Sequence, residues 1–243
     1  MIDKAPKKIR KMFDEISPRY DLLNHLLSLN TDILWRRRAA RWCEPGQRVL
    51  DLCCGTGDLS LEMEENREAS VVGIDFSQNM VRHARKKAEK KSHQARFFQG
   101  DALNLSVSDE TFDVVTVAFG IRNVISPARA LSEMKRVLRP GGRMIILEFT
   151  LPPSRLLRTG YLFYFSQVLP RIGKLVARAE MDAYRYLPDS VREWPSPDRF
   201  SDQITRAGFE DVEHELLFFG VAAIHTALCP AQDELLDSPL HSG

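Results

Sequence analysis

No run of about 18 apolar residues occurs in the chain, so nothing in it reads as a membrane span. Nor does an apolar stretch follow Lys4, Lys7, Lys8, Arg10 and Lys11, and the N-terminus does not read as a signal peptide. Cysteine is scarce. Cys43, Cys53, Cys54 and Cys229 lack the spacing of a disulfide framework or a zinc site, and read as small buried hydrophobes in a reducing cytoplasm. An excess of one charge is missing too. The 34 Lys and Arg face 33 Asp and Glu, a net charge of +1, so no global field favours nucleic acid. Internal repeats and low-complexity tracts are absent. What remains is a chain of 243 residues, 44% hydrophobic, the size of one α/β domain with additions.

The most informative stretch is Val49-Leu50-Asp51-Leu52-Cys53-Cys54-Gly55-Thr56-Gly57-Asp58-Leu59-Ser60. Val49, Leu50, Leu52 and Cys53 form a short apolar run with β character, the glycine turn breaks it, and a helix can begin near Asp58. A buried parallel strand feeding such a turn and a helix holds nucleotide-like ligands, with glycine where the backbone must approach the ligand. Two phosphate-binding patterns are excluded. Ser60 stands where a dinucleotide fingerprint needs its third glycine, and Asp58 where a Walker loop needs lysine. Asp58 and Asp51 instead make the loop negative. A ligand with an ammonium and a sulfonium suits that field, and S-adenosylmethionine is one. No metal-ligand pattern accompanies the loop.

Residues 71–74 read as a second strand ending at Asp75-Phe76, where a carboxylate can accept both hydroxyls of a ribose diol. Residues 96–99 read as a third, and the polar turn Gly100-Asp101-Ala102 can meet an adenine edge. Residues 113–119 and 143–149 supply two more strands, the latter introduced by Pro140-Gly141-Gly142. Helices are expected near 77–91, 127–138 and 197–207, and 213–219 with 222–228 form a closing hairpin-like pair. The expected architecture is α/β and Rossmann-like, a mostly parallel seven-stranded sheet. One domain spans 1–229, with a helical cap at 1–43, a helical insertion at 151–195 and a loose tail at 230–243. Arg82, Arg85, Lys86, Lys87, Lys90 and Lys91 read as the solvated face of a helix.

Residues 151–179 interleave aromatic and aliphatic side chains with five Lys and Arg and no acid. Such a segment can close as a lid on the sheet edge, lie on an anionic membrane surface, or do both.

Three blocks carry a family resemblance: residues 12–28 around Ser17-Pro18-Arg19-Tyr20-Asp21; Phe119-Gly120-Ile121-Arg122-Asn123-Val124 with Arg139-Pro140-Gly141-Gly142 and Leu147-Glu148-Phe149; and Tyr186-Leu187-Pro188-Asp189-Ser190-Val191 with Gly220-Val221-Ala222-Ala223-Ile224-His225. The chain resembles the bacterial demethylmenaquinone methyltransferase and ubiquinone C-methyltransferase family from about residue 7 to about residue 227. The resemblance implies a class I S-adenosylmethionine-dependent methyltransferase that methylates a ring carbon of a polyprenylated quinol, at the inner face of a membrane. Carried over by position, the cofactor contacts fall on Thr56, Asp75 and Asp101-Ala102. They join Asp51, Gly55, Gly57 and Phe76 from the same strand ends. Ala118 stands where some members have serine, and Cys54 where many have glycine.

A ring carbon becomes nucleophilic when the neighbouring phenol loses its proton, so the site must hold a phenolate beside a sulfonium. Arg122 can supply a fixed positive charge, Asn123 can orient the second ring oxygen, and Tyr20 can relay the proton or close over the methyl. His25 is a further candidate base. Each has a plainer role open to it: a salt bridge for Arg122, packing for Tyr20, a helix surface or cap for His25. Asp14 and Asp21 read as helix caps. Naphthoquinol and benzoquinol substrates both fit, and a homodimer stays open. The rivals are an O- or N-methyltransferase of another lipid, a base methyltransferase, which lacks its Asn/Asp-Pro-Pro-aromatic tetrad here, and a scaffold that binds cofactor without turnover.

Overall fold

The computed structural model describes residues 5–17, 20–28, 30–164 and 181–231. Its strands are β1 (Arg48–Leu52), β2 (Ser70–Asp75), β3 (Arg96–Gln99), β4 (Phe112–Ala118), β5 (Leu138–Phe149), β6 (Glu210–Leu217) and β7 (Ala222–Leu228). Among the described residues they form one sheet of order β3-β2-β1-β4-β5-β7-β6. The first five strands are parallel, and β7 runs antiparallel to both β5 and β6. In the middle of β4, Val114, Val115, Thr116 and Val117 are all buried, as expected of a strand covered on both faces. Strand order reverses between β1 and β4, which opens a crevice at their carboxyl ends.

The covering helices follow from their apolar faces. Helices α1 (Pro6–Ile16), α2 (Tyr20–Leu27) and α3 (Thr31–Ala40) precede β1. Trp35, Ala39 and Ala40 of α3 pack with Val49, Val114, Ile145 and Ile224 on one side of the sheet. Helix α4 (Asp58–Arg67) leaves the glycine loop. Helix α5 (Gln78–Lys90) starts where the Ser77 hydroxyl accepts the Met80 N–H at 3.1 Å. Its Val81, Ala84 and Ala88 meet Leu61 and Phe97. Helix α6 (Pro127–Val137) is capped by Ser126 and buries Leu131, Met134 and Val137 on the other side. Helices α7 (Arg155–Phe163) and α8 (Met181–Glu193) follow β5, and α9 (Pro197–Arg206) precedes the closing strands. Among the described residues no helix is long and apolar enough to cross a membrane.

Several boundaries differ from the sequence reading. β1 stops at Leu52, because Cys53 has φ 52°, so Cys53 and Cys54 do not alternate as strand residues. Cys53 is half-buried rather than buried. β5 begins at Leu138, straight out of α6, and absorbs Pro140-Gly141-Gly142 as an irregularity opposite Phe112–Val114. β6 ends at Leu217, not Phe219. Lys87 departs from the solvated face, half-buried and reaching the glycine loop, whereas Arg85 stays exposed while donating to the Phe97 carbonyl at 2.6 and 2.9 Å. Residues 165–179 of the cationic segment, Pro18-Arg19, and 232–243 of the tail lie outside the described residues.

Candidate active site

Two joined cavities occupy the crevice. The larger holds about 810 Å³ of space, part of it open to solvent, between Asp75, Phe76, Asp101, Ala102, Asn123 and the N-terminal helices. The smaller, about 300 Å³, lies between Arg36, Asp51, Thr56 and Asp58. Tyr20, Cys53 and Gly55 line both.

The first three strands each bring one acid to this crevice. Asp75 closes β2 and lines the larger cavity. Its Oδ2 accepts the Gly55 N–H at 2.9 Å and its Oδ1 the Ser77 N–H at 2.8 Å, so the carboxylate is held in one orientation. Burial pushes it up to about 6 against those two bonds. Asp51 lies in β1, 1% exposed. Its Oδ2 accepts the Ser60 hydroxyl at 2.5 Å, while Oδ1 is buried with no hydrogen-bond partner. Burial raises Asp51 to about 7, with Asp75 adding to the rise and Ser60 and Arg36 opposing it. Asp101 sits after β3, exposed on the cavity rim, with Oδ1 accepting the Leu103 N–H at 2.9 Å. Ala102 and Phe76 complete that wall, and Arg10 lies 5.7 Å over the Phe76 ring.

The two loop glycines do different jobs. Gly55 faces both cavities with φ +55°. Gly57 faces neither; with φ +85° and a Cβ that would stand 2.9 Å from the Phe97 ring, it serves close packing. Thr56 is buried, and its hydroxyl donates to Asp21 Oδ1 at 2.5 Å. Lys87 ties this network together, 2.6 Å from Asp21 and 2.5 Å from Asp58. Asp21 thus braces the loop rather than only capping α2. Asp14 similarly accepts the Ser77 hydroxyl at 2.5 Å. Burial raises the Cys53 and Cys54 thiols, with Asp75 and Asp51 adding to it, so neither is poised as a nucleophile.

Arg36 is the site residue that sequence reading missed. It is 7% exposed, lines the smaller cavity and lies 5.5 Å over the Phe119 ring. Asp32, one helical turn earlier, receives its Nη1, and Asp58 Oδ2 stands 3.9 Å away. Asp32 also takes the Ser28 hydroxyl at 2.5 Å and meets His25 Nδ1 at 2.9 Å. His25 therefore supports Asp32 and lines neither of these two cavities. Burial would raise Asp58, but Arg36 and Lys87 outweigh it and hold its carboxyl below the ordinary value.

The Phe-Gly-Ile-Arg-Asn block turns at Phe119, φ 58°, into a short 3-10 turn, Ile121–Asn123. Asn123 lines the larger cavity; its Oδ1 accepts the Tyr186 hydroxyl at 3.0 Å and its Nδ2 donates to the Phe119 carbonyl at 3.3 Å. Arg122 lines neither cavity. Its Nη1 donates to Glu148 Oε1 and to the Phe119 carbonyl, both at 2.6 Å, and its Nε to Ser190 Oγ at 3.3 Å. The fixed positive charge expected there is half of a buried pair, the salt bridge that the sequence also left open. Tyr20, between Arg36 and Arg122, has its phenol raised by burial. Burial likewise raises Tyr186, to about 12, so at neutral pH it donates to Asn123.

The donor set fits S-adenosylmethionine. An ammonium needs an acceptor, and Asp51 Oδ1 is buried without a partner. A carboxylate needs a fork, and Arg36 faces the same small cavity. A ribose diol needs the fixed carboxylate of Asp75.

Comparisons with known proteins show the family and the fold. The profile of the ubiE/COQ5 methyltransferase family matches residues 1–229. A Thermus thermophilus protein called demethylmenaquinone methyltransferase is 49% identical over 217 residues, covering 88% of this chain and 98% of its own. The ubiquinone/menaquinone biosynthesis C-methyltransferase UbiE of Geobacter sulfurreducens is 48% identical over 227 residues, 90% of this chain and 88% of its own. Among solved structures, a Thermotoga maritima SAM-dependent methyltransferase superposes with a TM-score of 0.63 at 21% identity, over 91% of this chain and 99% of that one. At that identity the likeness speaks for the fold alone, a class I methyltransferase fold.

Proposed function

The chain belongs to the ubiE/COQ5 methyltransferase family, and on that premise we propose that it moves the methyl group of S-adenosylmethionine to a ring carbon of a polyprenylated quinol. Demethylmenaquinol is the first candidate and a polyprenyl methoxybenzoquinol the alternative. One observation carries the reading: the orphaned Asp51 Oδ1, the Arg36 guanidinium and the oriented Asp75 carboxylate surround a single crevice that continues into an apolar cavity.

S-adenosylmethionine supplies the electrophilic methyl. The chain supplies the rest. Asp51, Arg36 and Asp75 hold the amino-acid and ribose ends, and Asp101-Ala102 with Phe76 receive the adenine. Ile9, Phe13, Phe119 and Ile125 wall the larger cavity and keep water from the ring. Asn123, fixed by Tyr186, orients a quinol oxygen. Arg122, paired with Glu148 and bound to the Phe119 carbonyl, holds the turn that presents Asn123 to the quinol oxygen. Tyr20 reaches both cavities and closes over the reacting pair. Positioning of the two reactants can lower the barrier by roughly 7–11 kcal/mol.

Because the substrate carries an isoprenoid tail, the proposal places the protein at the inner face of an anionic membrane. The cation-only composition of residues 151–179 supports that. The test is calorimetry with S-adenosylmethionine, followed by mass spectrometry of a tail-less demethylnaphthoquinol incubated with both. Cofactor binding with no methylated product from any quinol would favour a scaffold.

A further inference from the structure

Two phenylalanines are exposed where burial would be expected. Phe218 and Phe219, at the end of β6, are 58% and 73% exposed. Both have left-handed backbones, φ 46° and 58°, which bulky side chains seldom adopt. The turn is held in that form. A Cβ on Gly220 would stand 2.6 Å from Pro153, so the turn packs onto the Pro152-Pro153 step that leads into α7. No residue of helix α7 is fully buried, and Leu156 and Leu157 are 83% and 45% exposed. Leu34, beside Trp35 on α3, is 61% exposed. The Gly220–Pro153 approach joins the turn to the start of α7 and the Trp35–Phe218 ring contact joins it to α3, and exposed apolar residues gathered on neighbouring elements mark an interaction surface.

The face is continuous with the active site. Ring centroids run from Phe119 on the cavity wall to Phe149 at 4.4 Å, Trp35 at 6.2 Å, Phe218 at 6.4 Å and Phe219 at 5.6 Å. Its charge has one sign. Arg155 is exposed and makes no ion pair among the described residues, and Arg158 is held at the surface by the Pro152 carbonyl at 2.9 Å. Glu215 on β6 is matched by Arg38 at 3.0 Å. We propose that the Phe218-Phe219 turn and α7 together form a bilayer-docking face, with the two rings as a wedge in the acyl boundary of an anionic membrane and the aromatic run leading from there to the cavity. The inference rests on the lipid-quinol reading and names the surface that reading requires.

Flotation with phosphatidylcholine vesicles containing phosphatidylglycerol tests it, read without substrate. Wild type should float, less so at high salt. The variant Phe218→Asn with Phe219→Asn keeps a backbone that left-handed residues tolerate. It should lose about tenfold or more in vesicle affinity. Its rate on a tail-less quinol in lipid-free buffer should stay at the wild-type value. Phe219→Trp should be quenched by lipids brominated on the acyl chain. Equal flotation of wild type and the double variant, or an unquenched tryptophan, overturns the proposal. So does a wild-type dimer that the double substitution splits with flotation unchanged, since the face would then bind a second copy. A wild-type protein that floats as expected but methylates no quinol counts against the substrate reading instead.

Discussion

Glu148 Oε1 lies 2.6 Å from Arg122 Nη1, in a buried pair one layer behind the cavity wall that Asn123 lines. Burial raises the Glu148 carboxyl and Arg122 opposes the rise. The pair therefore carries both fold and chemistry, and single substitutions confound the two.

Arg122→Ala leaves Glu148 buried without a partner and should cost about 3–5 kcal/mol of stability. Arg122→Met combined with Glu148→Gln removes both charges and should restore most of the melting temperature. Turnover in that double variant should still be about 10²-fold down, as when the orientation of a reactant is lost, because the turn that carries Asn123 is no longer fixed. Turnover that returns with stability would make the pair structural only.

Arg36→Gln should weaken S-adenosylmethionine by about 1.5–3 kcal/mol, the worth of a hydrogen bond to a charged group. The decisive comparison uses decarboxylated S-adenosylmethionine in calorimetry. Wild type and variant should bind it equally, because the group that Arg36 meets is gone. A variant that loses affinity for both ligands alike would place Arg36 outside the carboxylate subsite.

Asp75→Ala leaves two ribose hydroxyls unpaired, each worth roughly 1.5–3 kcal/mol. It also frees the Gly55 and Ser77 N–H groups that the carboxylate now receives. Asp75→Asn keeps one acceptor and should fall between wild type and Ala. Unchanged cofactor affinity in the Ala variant would remove Asp75 from the site.

Burial raises the Asp51 carboxyl to about 7 and that of Asp75 to about 6. The ionised forms are the ones that pair with an ammonium and accept two hydroxyls. Affinity for S-adenosylmethionine should therefore fall as pH drops through this window, and binding within it should release protons. Calorimetry in buffers of different ionisation enthalpy counts them. Asp51→Asn should abolish the upper step; a proton count that stays unchanged in the variant would contradict the assignment.

Most of the sheet was legible because its signals are local. Apolar runs bounded by Gly55-Thr56-Gly57 or ending in Asp75 define β1 and β2, and the expected helices at 77–91 and 127–138 appear as Gln78–Lys90 and Pro127–Val137. What stayed hidden depends on long-range contact. Arg36 stands in a run with Arg37 and Arg38, and only the Asp32 partner one turn earlier hinted which of the three points inward. Lys87 reads as one more surface cation until Asp21 and Asp58 are seen converging on it. Phe218 and Phe219 continue the apolar run of Leu216-Leu217 in the sequence, yet they stand on an exposed turn. Arg122 was legible as a residue but not as a pair, because Glu148 comes from a different strand.

The central claim is methyl transfer to quinol carbon, and one measurement meets it directly. S-adenosylmethionine with a deuterated methyl group is incubated with the purified protein and demethylmenaquinol in vesicles, and the lipid extract is read by tandem mass spectrometry. The account predicts a menaquinol with the labelled methyl on the quinone ring, formed more slowly by the Phe218→Asn, Phe219→Asn variant. A label found on an oxygen, or no labelled lipid from either naphthoquinol or benzoquinol while the cofactor binds, would contradict it.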